Sequence, residues 1–178
     1  MRVIGGEFRS RVLKSLPGLD VRPTPDRLRE ALFNILAPRL IAQRDEKIFA
    51  DLYAGTGAVG IEALSRGAAR AIFVERKHAA VRLIHENLQS LGVEARAKVH
   101  EGRVTAILPR LEADIVFLDP PYPLETEYAA VLALLGERSP ELVIAQHPPR
   151  MKLAEAYGVL HRTRVLKQGD NQLSFYEA

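Results

Sequence analysis

Three groups of residues have the types and spacing to do chemistry together. Asp119-Pro120-Pro121-Tyr122 closes the apolar run that begins at Asp114. Two successive prolines remove two backbone donors and stiffen the turn, which leaves carbonyl oxygens free to accept hydrogen bonds. A carboxylate beside such a carbonyl suits an exocyclic amine, whose two N–H groups need acceptors, and the Tyr122 ring gives a flat base a face to stack on. The second group is Phe49-Ala-Asp-Leu-Tyr-Ala-Gly-Thr-Gly-Ala-Val-Gly60. An apolar run ending in Asp51 reads as a buried strand, and Gly55, Gly57 and Gly60 let the backbone turn sharply, approach a ligand and open a helix at Ala58 or soon after. The third is Glu75, placed where a dinucleotide fingerprint wants its ribose-binding acid. The glycine loop by itself fits more than one nucleotide-type cofactor, and the Asp119 motif breaks that ambiguity.

These residues need a scaffold that gathers them, and the alternation of apolar patterns from Ile48 onward supplies one. Strands are expected over Ile48 to Tyr53, Ala71 to Val74, Ala95 to His100, Asp114 to Asp119 and Leu142 to Ala145. Between them fall helical patterns around Ile61 to Ser65, through Val81, Ile84, Leu88 and Leu91, ending near Leu111, and over Tyr128 to Leu135. Such alternation argues a doubly wound, Rossmann-like α/β fold, a parallel sheet covered on both faces with ligand at the carboxyl ends of the strands. Asp51, Glu75 and Asp119 then converge on one rim. A single acid at a strand end is ordinarily a cap or a solvated turn; three on successive strands point to a site. Val159 to Leu166 and Gln172 to Tyr176, joined at Lys167-Gln-Gly-Asp-Asn171, read as an antiparallel hairpin at the sheet edge.

The first 45 residues read as an appendage to a main domain over 46–178. Residues 1 to about 23 lack helical periodicity and suggest a short hairpin or extended arm broken at Pro17-Gly18. In Thr24-Pro25-Asp26, Thr24 can cap a helix, Pro25 suits its first position and Asp26 its dipole. Leu28, Ala31, Leu32, Ile35 and Leu36 then recur at helical spacing, and Pro38 limits continuation. The arm concentrates positive charge in Arg2, Arg9, Arg11, Lys14 and Arg22 against Glu7 and Asp20.

In bulk the 178 residues make one domain with a real core, 47% hydrophobic and 26% charged, with a net charge of +3. No cysteine is present, which excludes disulfide and thiolate metal chemistry. The five histidines, His78, His85, His100, His147 and His161, show no metal spacing, and only His147, after a strand on the expected rim, stands where an imidazole could reach a ligand. Nothing at the N-terminus resembles a signal peptide, and no apolar run is long enough to span a bilayer, so a cytoplasmic protein is expected.

Asp51-x-x-x-Gly55-x-Gly57 with Glu75 and Asp-Pro-Pro-Tyr resembles the S-adenosylmethionine-dependent amino-methyltransferases that act on nucleobase nitrogens. Met1-Arg-Val-Ile-Gly-Gly, Arg22-Pro-Thr-Pro-Asp-Arg-Leu-Arg-Glu-Ala-Leu-Phe-Asn34, Ala54-Gly-Thr-Gly-Ala-Val-Gly-Ile-Glu-Ala-Leu-Ser-Arg-Gly67 and Leu173-Ser-Phe-Tyr176 resemble the RsmD type, which methylates the N2 amine of a guanine in 16S ribosomal RNA. The resemblance implies a class I methyltransferase sheet of about seven strands, the last pair forming the hairpin. It implies S-adenosylmethionine as methyl donor, no metal, and ribosomal RNA or the small subunit as partner of a monomer. It places the cofactor's amino-acid end on Asp51, Tyr53, Gly55, Thr56 and Gly57, its ribose on Glu75 beside Arg76, and the target guanine on Asp119, Pro120, Pro121 and Tyr122, with Asp119 also bordering the cofactor. It gives the arm's cations a use on RNA phosphates. One departure stands out: at the third strand end such enzymes usually offer Asp or Asn to adenine, and this chain has Glu101-Gly102-Arg103. Arginine has no acceptor, so the backbone of Gly102 to Val104 would substitute.

Competing readings divide on single features. A DNA amino-methyltransferase needs a target-recognition region for which no residues are spare. A nicotinamide dehydrogenase leaves Asp119-Pro-Pro-Tyr122 unexplained. A non-catalytic assembly factor with a vestigial site fits poorly with an intact acid at each of three strand ends.

Overall fold

A computed structural model describes residues 1–15, 24–42, 46–121 and 125–178. Eight strands form one sheet, β1 (Ile48–Leu52), β2 (Arg70–Glu75), β3 (Ala97–Glu101), β4 (Ile115–Leu118), β5 (Leu142–His147), β6 (Ala156–Tyr157), β7 (Leu160–Gln168) and β8 (Asn171–Glu177). Their spatial order is β3-β2-β1-β4-β5-β8-β7-β6. The first five are parallel, and β8 and β7 add an antiparallel edge. Asp51 pairs with Phe73 and Phe117, so the strand ends are level and the acids at or just beyond them, Asp51, Glu75 and Asp119, share one rim. The expected seven strands gain an eighth, the two-residue β6 against β7.

Alternation along each strand splits the core in two. On one face Phe49, Ile115, Phe117, Leu142, Ile144, Leu173 and Phe175 meet α1 (Asp26–Ala42) and α2 (Ala58–Ser65), and Phe73 and Ala71 meet α2 and α3 (His78–Leu91). On the other, Ala50, Leu52, Val74, Val116, Leu118 and Val143 pack under α4 (Val104–Ile107) and α5 (Glu125–Gly136). Gly60 sits so close to the sheet that a Cβ there would lie 2.3 Å from Phe73 Cε1. No helix of the described residues is long and apolar enough to cross a membrane.

Two local expectations are corrected. The α1 helix runs through Pro38 to Ala42, because buried Leu36 and Leu40 on either side hold it to the sheet. Thr24 is not at the cap position of α1, since the first helical bond runs from Arg29 N–H to the Pro25 carbonyl, and its hydroxyl donates to Gln146 Oε1 at 3.2 Å.

The N-terminal arm is a short hairpin, with an antiparallel bridge between Arg2 and Val12, and it is stitched to α2 and α3. The N–H groups of Ile4 and Gly5 donate to the Glu62 carboxylate at 2.8 Å each, and Phe8 N–H donates to Ser65 Oγ at 2.9 Å. Gly6, at φ 79°, lies so close that a Cβ would fall 1.9 Å from the Ser65 carbonyl oxygen. Lys14 N–H donates to Asn87 Oδ1 at 2.8 Å, and Asn87 returns its amide to the carbonyls of Lys14 and Thr56. Val3, Phe8 and Leu13 are buried against the same helices. Arg29 of α1 completes the seam: its guanidinium donates to the Arg2 carbonyl at 2.7 Å and to Asp26 at 2.9 Å, and its Nε lies 3.8 Å from Glu62.

Candidate functional site

The site is the carboxyl rim, where the loops after β1, β2, β3, β4 and β5 meet. Its floor is Asp51, 1% exposed, whose Oδ2 accepts the Gly60 N–H at 2.8 Å. Burial pushes the Asp51 carboxyl up to about 8; the Gly60 hydrogen bond opposes this, and the neighbouring carboxylates of Asp119 and Glu75 add to it. The loop above it is built from unusual backbone. Gly55 and Gly57 have φ of 56° and 78°, and Tyr53 takes φ 65°, a conformation that is a genuine outlier for a bulky residue. The Tyr53 hydroxyl donates to Glu127 Oε1 at 2.8 Å, which ties this loop to the start of α5 across the rim. Burial and that bond raise the Tyr53 phenol above its ordinary value.

Glu75 ends β2 and organises the next segment. Its Oε2 accepts the Gly55 N–H at 2.9 Å and its Oε1 the N–H groups of Arg76 and Lys77 at 2.8 Å each. The end of β3 is joined to it by the Gly102 N–H donating to the Glu75 carbonyl at 2.9 Å. The side chain of Arg103 is exposed there, and Glu101 turns to His78, 3.0 Å away, instead of into the rim.

Asp119 follows β4, half-buried, and burial pushes its carboxyl up to about 7. Its Oδ2 accepts the Gln146 side-chain amide at 3.0 Å. Pro120 is buried and Pro121 exposed, and Tyr122 lies outside the described residues.

The structure thus brings Asp51, Tyr53, Gly55, Thr56, Gly57, Glu75, Arg76, Gly102, Arg103, Asp119, Pro120 and Pro121 to one edge of the sheet. It does not bring the arm's cations there as a group. Arg11 donates to the Ser90 carbonyl at the far end of α3, and Lys14 pairs with Glu86 at 3.0 Å. Arg2 and Arg9 are exposed, and Arg22 lies outside the described residues. His147 is buried, its Nε2 2.8 Å from Ser174 Oγ, and burial lowers its pKa, which makes it a packed neutral ring between β5 and β8. Arg27 is exposed, whereas Arg29 belongs to the seam.

Two residues at the rim escaped the sequence reading, Gln146 and Glu127, and a third, Thr24, reads from sequence only as a helix cap. Gln146 carried a signal, since it is the one amide in the apolar run Leu142-Val-Ile-Ala-Gln and directly precedes His147. Glu127 carried none, because an acid in the first turn of a helix reads as a dipole partner. Among the described residues no cluster of His, Cys, Asp and Glu could hold a metal ion.

The chain is similar to known proteins along its whole length. The profile of the family described as Conserved hypothetical protein 95 matches residues 1–177. The Bacillus subtilis protein YlbH, provisionally named an rRNA methyltransferase, is 34% identical over 186 residues, 99% of this chain and 98% of that one. Ribosomal RNA small subunit methyltransferase D of Escherichia coli strain K12 is 40% identical over 124 residues, 68% of this chain and 60% of that protein. Among solved structures, the Escherichia coli protein yhhF, provisionally named a methyltransferase, superposes with a TM-score of 0.85 at 29% identity, covering 100% of this chain and 98% of that one. An RNA methyltransferase of Salinibacter ruber, solved with S-adenosyl-L-homocysteine, shares the fold at a TM-score of 0.63 and 16% identity, over 86% of this chain and 92% of that one. With the parallel sheet and its terminal hairpin, these likenesses give a Rossmann-like class I methyltransferase fold.

Proposed function

The chain belongs to the Conserved hypothetical protein 95 family as an RsmD-type methyltransferase, and from that premise we propose that it moves the methyl group of S-adenosylmethionine to the exocyclic N2 amine of a guanine in 16S ribosomal RNA, within the assembled small subunit. On this reading it is a monomeric, cytoplasmic enzyme with a main domain over 46–178. The observation that carries the proposal is the pairing of two features on one rim: a positive-φ glycine loop over a buried acid, and an acid followed by two prolines.

The residues fit the donor. Asp51 is raised to about 8 in a neighbourhood whose charges are the acids Asp119 and Glu75, so a cation is favourable there, and S-adenosylmethionine brings an ammonium and a sulfonium. Gly55 and Gly57 let the backbone approach it, and Glu75 at the end of β2 is the acceptor for its ribose hydroxyls. The relation to the Salinibacter protein's complex supports this assignment through the fold. Arg103, exposed beyond β3, supplies no acceptor for adenine, which leaves that task to the backbone of Gly102 to Val104.

Bound S-adenosylmethionine supplies an already electrophilic methyl group. The difficulty lies on the nucleophile, because the guanine amine's lone pair is delocalised into the ring. The Asp119 carboxylate and the Pro120 carbonyl, accepting the two amine hydrogens, favour a pyramidal nitrogen and aim its lone pair along the line of transfer. Tyr122 stacks on the extruded base. The work of the protein is then positioning and electrostatics, with Asp119 also placed to take the released proton.

The test is transfer of labelled methyl to unmethylated small subunits, free 16S RNA and duplex DNA in parallel, with nucleoside analysis. Label in N2-methylguanosine is expected, highest from subunits; label in DNA, or none with any RNA despite donor binding, overturns the reading. Arg2 and Arg9 are proposed phosphate contacts, and Arg11, Lys14 and Arg22 are further candidates for the same role. Reversing Arg2 and Arg9 should lower the salt slope of RNA binding by about one for each phosphate no longer neutralised.

A further inference from the structure

On the reading of the rim as an amine-accepting pocket, we propose that Gln146 is the positioning residue for Asp119: its amide, oriented by Thr24, fixes which carboxylate oxygen is left to accept the substrate amine.

The backbone at Gln146 is held without help from its side chain. In β5 it pairs with Leu173 of β8, and its carbonyl accepts the Tyr128 hydroxyl at 2.5 Å. The side chain, on a residue only 5% exposed, makes two other contacts: Nε2 to Asp119 Oδ2 at 3.0 Å, and Oε1 from the Thr24 hydroxyl at 3.2 Å. An ionised carboxylate can only accept and a carbonyl oxygen can only accept, so a hydroxyl donor at one end and a carboxylate at the other leave the amide one orientation. A leucine of similar volume would occupy most of the same space. An amide buried here, with both polar ends matched, indicates that the matching is what the position is for.

The consequence falls on Asp119. Its Oδ2 is engaged by Gln146, and Oδ1 has no hydrogen-bond partner among the described residues. An unpinned carboxylate rotates and offers either oxygen at any angle; one with Oδ2 held offers Oδ1 at one angle. Because transfer requires the amine lone pair to lie on the line of attack, loss of that angle acts on kcat more than on binding. Thr24 lies two residues before the first residue of α1, so the start of that helix, and through it the arm seam, is tied to the reacting carboxylate by two hydrogen bonds.

The experiment compares wild type with Gln146→Leu, Thr24→Val and Thr24→Ser in two readouts. The first is the carboxyl-carbon NMR resonance of Asp119 at one mildly alkaline pH, recognised by its loss in Asp119→Asn. A single sharp resonance is expected in wild type and Thr24→Ser, and a displaced or broadened one in Gln146→Leu and Thr24→Val. The second is methyl transfer, where kcat should fall about tenfold in Gln146→Leu and less in Thr24→Val, with RNA KM within about twofold, and Thr24→Ser should restore the rate. An unmoved Asp119 resonance in both Gln146→Leu and Thr24→Val overturns the inference, as does an unchanged kcat. Failure of the wild type to methylate RNA sinks the functional reading instead, and the NMR arm still decides the role of Gln146. Donor binding by Gln146→Leu checks its folding, and Thr24→Val repeats the test from outside the sheet.

Discussion

Helix α2 carries one buried carboxylate, Glu62, and covers another, Asp51, and their surroundings are opposite. Glu62 is wholly buried, yet accepts N–H groups from Ile4 and Gly5 and Nε of Arg66, all at 2.8 Å, with Arg29 Nε 3.8 Å away. Asp51, 1% exposed, receives one N–H, from Gly60, and its charged neighbours are acids. The first carboxylate is compensated by the chain itself and therefore holds the fold together. The second is left wanting positive charge, which is what a site for a cationic ligand looks like before the ligand binds. Two residues of one helix, Gly60 and Glu62, thus mark the functional and the structural ends of the same packing problem.

The largest effects should separate the two ends cleanly. Asp119→Ala should lower kcat about a hundredfold or more while sparing donor and RNA binding, since it removes an acceptor used only at the reacting amine. It should lower the melting temperature far less than Glu62→Ala does, because the carboxyl it removes is itself disfavoured by burial, and the remaining cost is the buried Gln146 amide left without its acceptor. Glu62→Ala should do the reverse: it strands the Ile4 and Gly5 N–H groups and takes the buried acid away from Arg29, whose guanidinium burial already pushes below its ordinary value, and removing one partner of a buried pair costs about 3–5 kcal/mol. Urea unfolding measures that loss, and kcat of the folded fraction should stay within about twofold. If Asp119→Ala destabilises as much as Glu62→Ala, the contrast between the two ends is false.

Gly60→Ala probes the point where both ends meet. The added methyl would lie 2.3 Å from Phe73 Cε1, and the ring is fixed in the core. Overpacking of this kind costs about 1–3 kcal/mol. Relief by lifting α2 would also lengthen the Gly60 to Asp51 bond, so donor affinity should fall together with stability, whereas Glu62→Ala should lower stability alone.

Most of this architecture was legible because it is written in local patterns. The Ile48 and Asp114 runs, the spacing of Val81, Ile84 and Leu88, and the glycine loop each announce an element without reference to anything distant. Level strand ends then gather Asp51, Glu75 and Asp119 automatically. What was missed depends on partners far along the chain. Thr24 looks like a cap until Gln146, 122 residues away, takes its hydroxyl. Pro38 looks like a stop until Leu36 and Leu40 are anchored in the core, and β6 is two residues long, too short for any period to register. The basic arm shows the same limit: its charge cluster is plain in the sequence, but only the hairpin and α3 reveal that Arg11 and Lys14 are engaged at the surface by Ser90 and Glu86.

The finest test of the contrast is its dependence on pH. A carboxyl near 4 in the unfolded chain and near 8 in the folded one holds a proton in the native state that the unfolded state has released throughout that window. Stability of the free protein should therefore decline as pH rises from about 4 to 8, with Asp51 the main contributor and Asp119, raised to about 7, the second. Asp51→Asn keeps an oxygen for the Gly60 N–H but cannot ionise, so it should flatten that decline, read as melting temperature against pH. Donor binding should act the same way in wild type, since a cation beside Asp51 favours the ionised form and expels the proton. Calorimetry in buffers of different ionisation heat should then show proton release on binding near neutral pH, and much less of it in Asp51→Asn. If Glu62→Gln flattens the decline as strongly as Asp51→Asn, the pH dependence belongs to the seam and not to the rim.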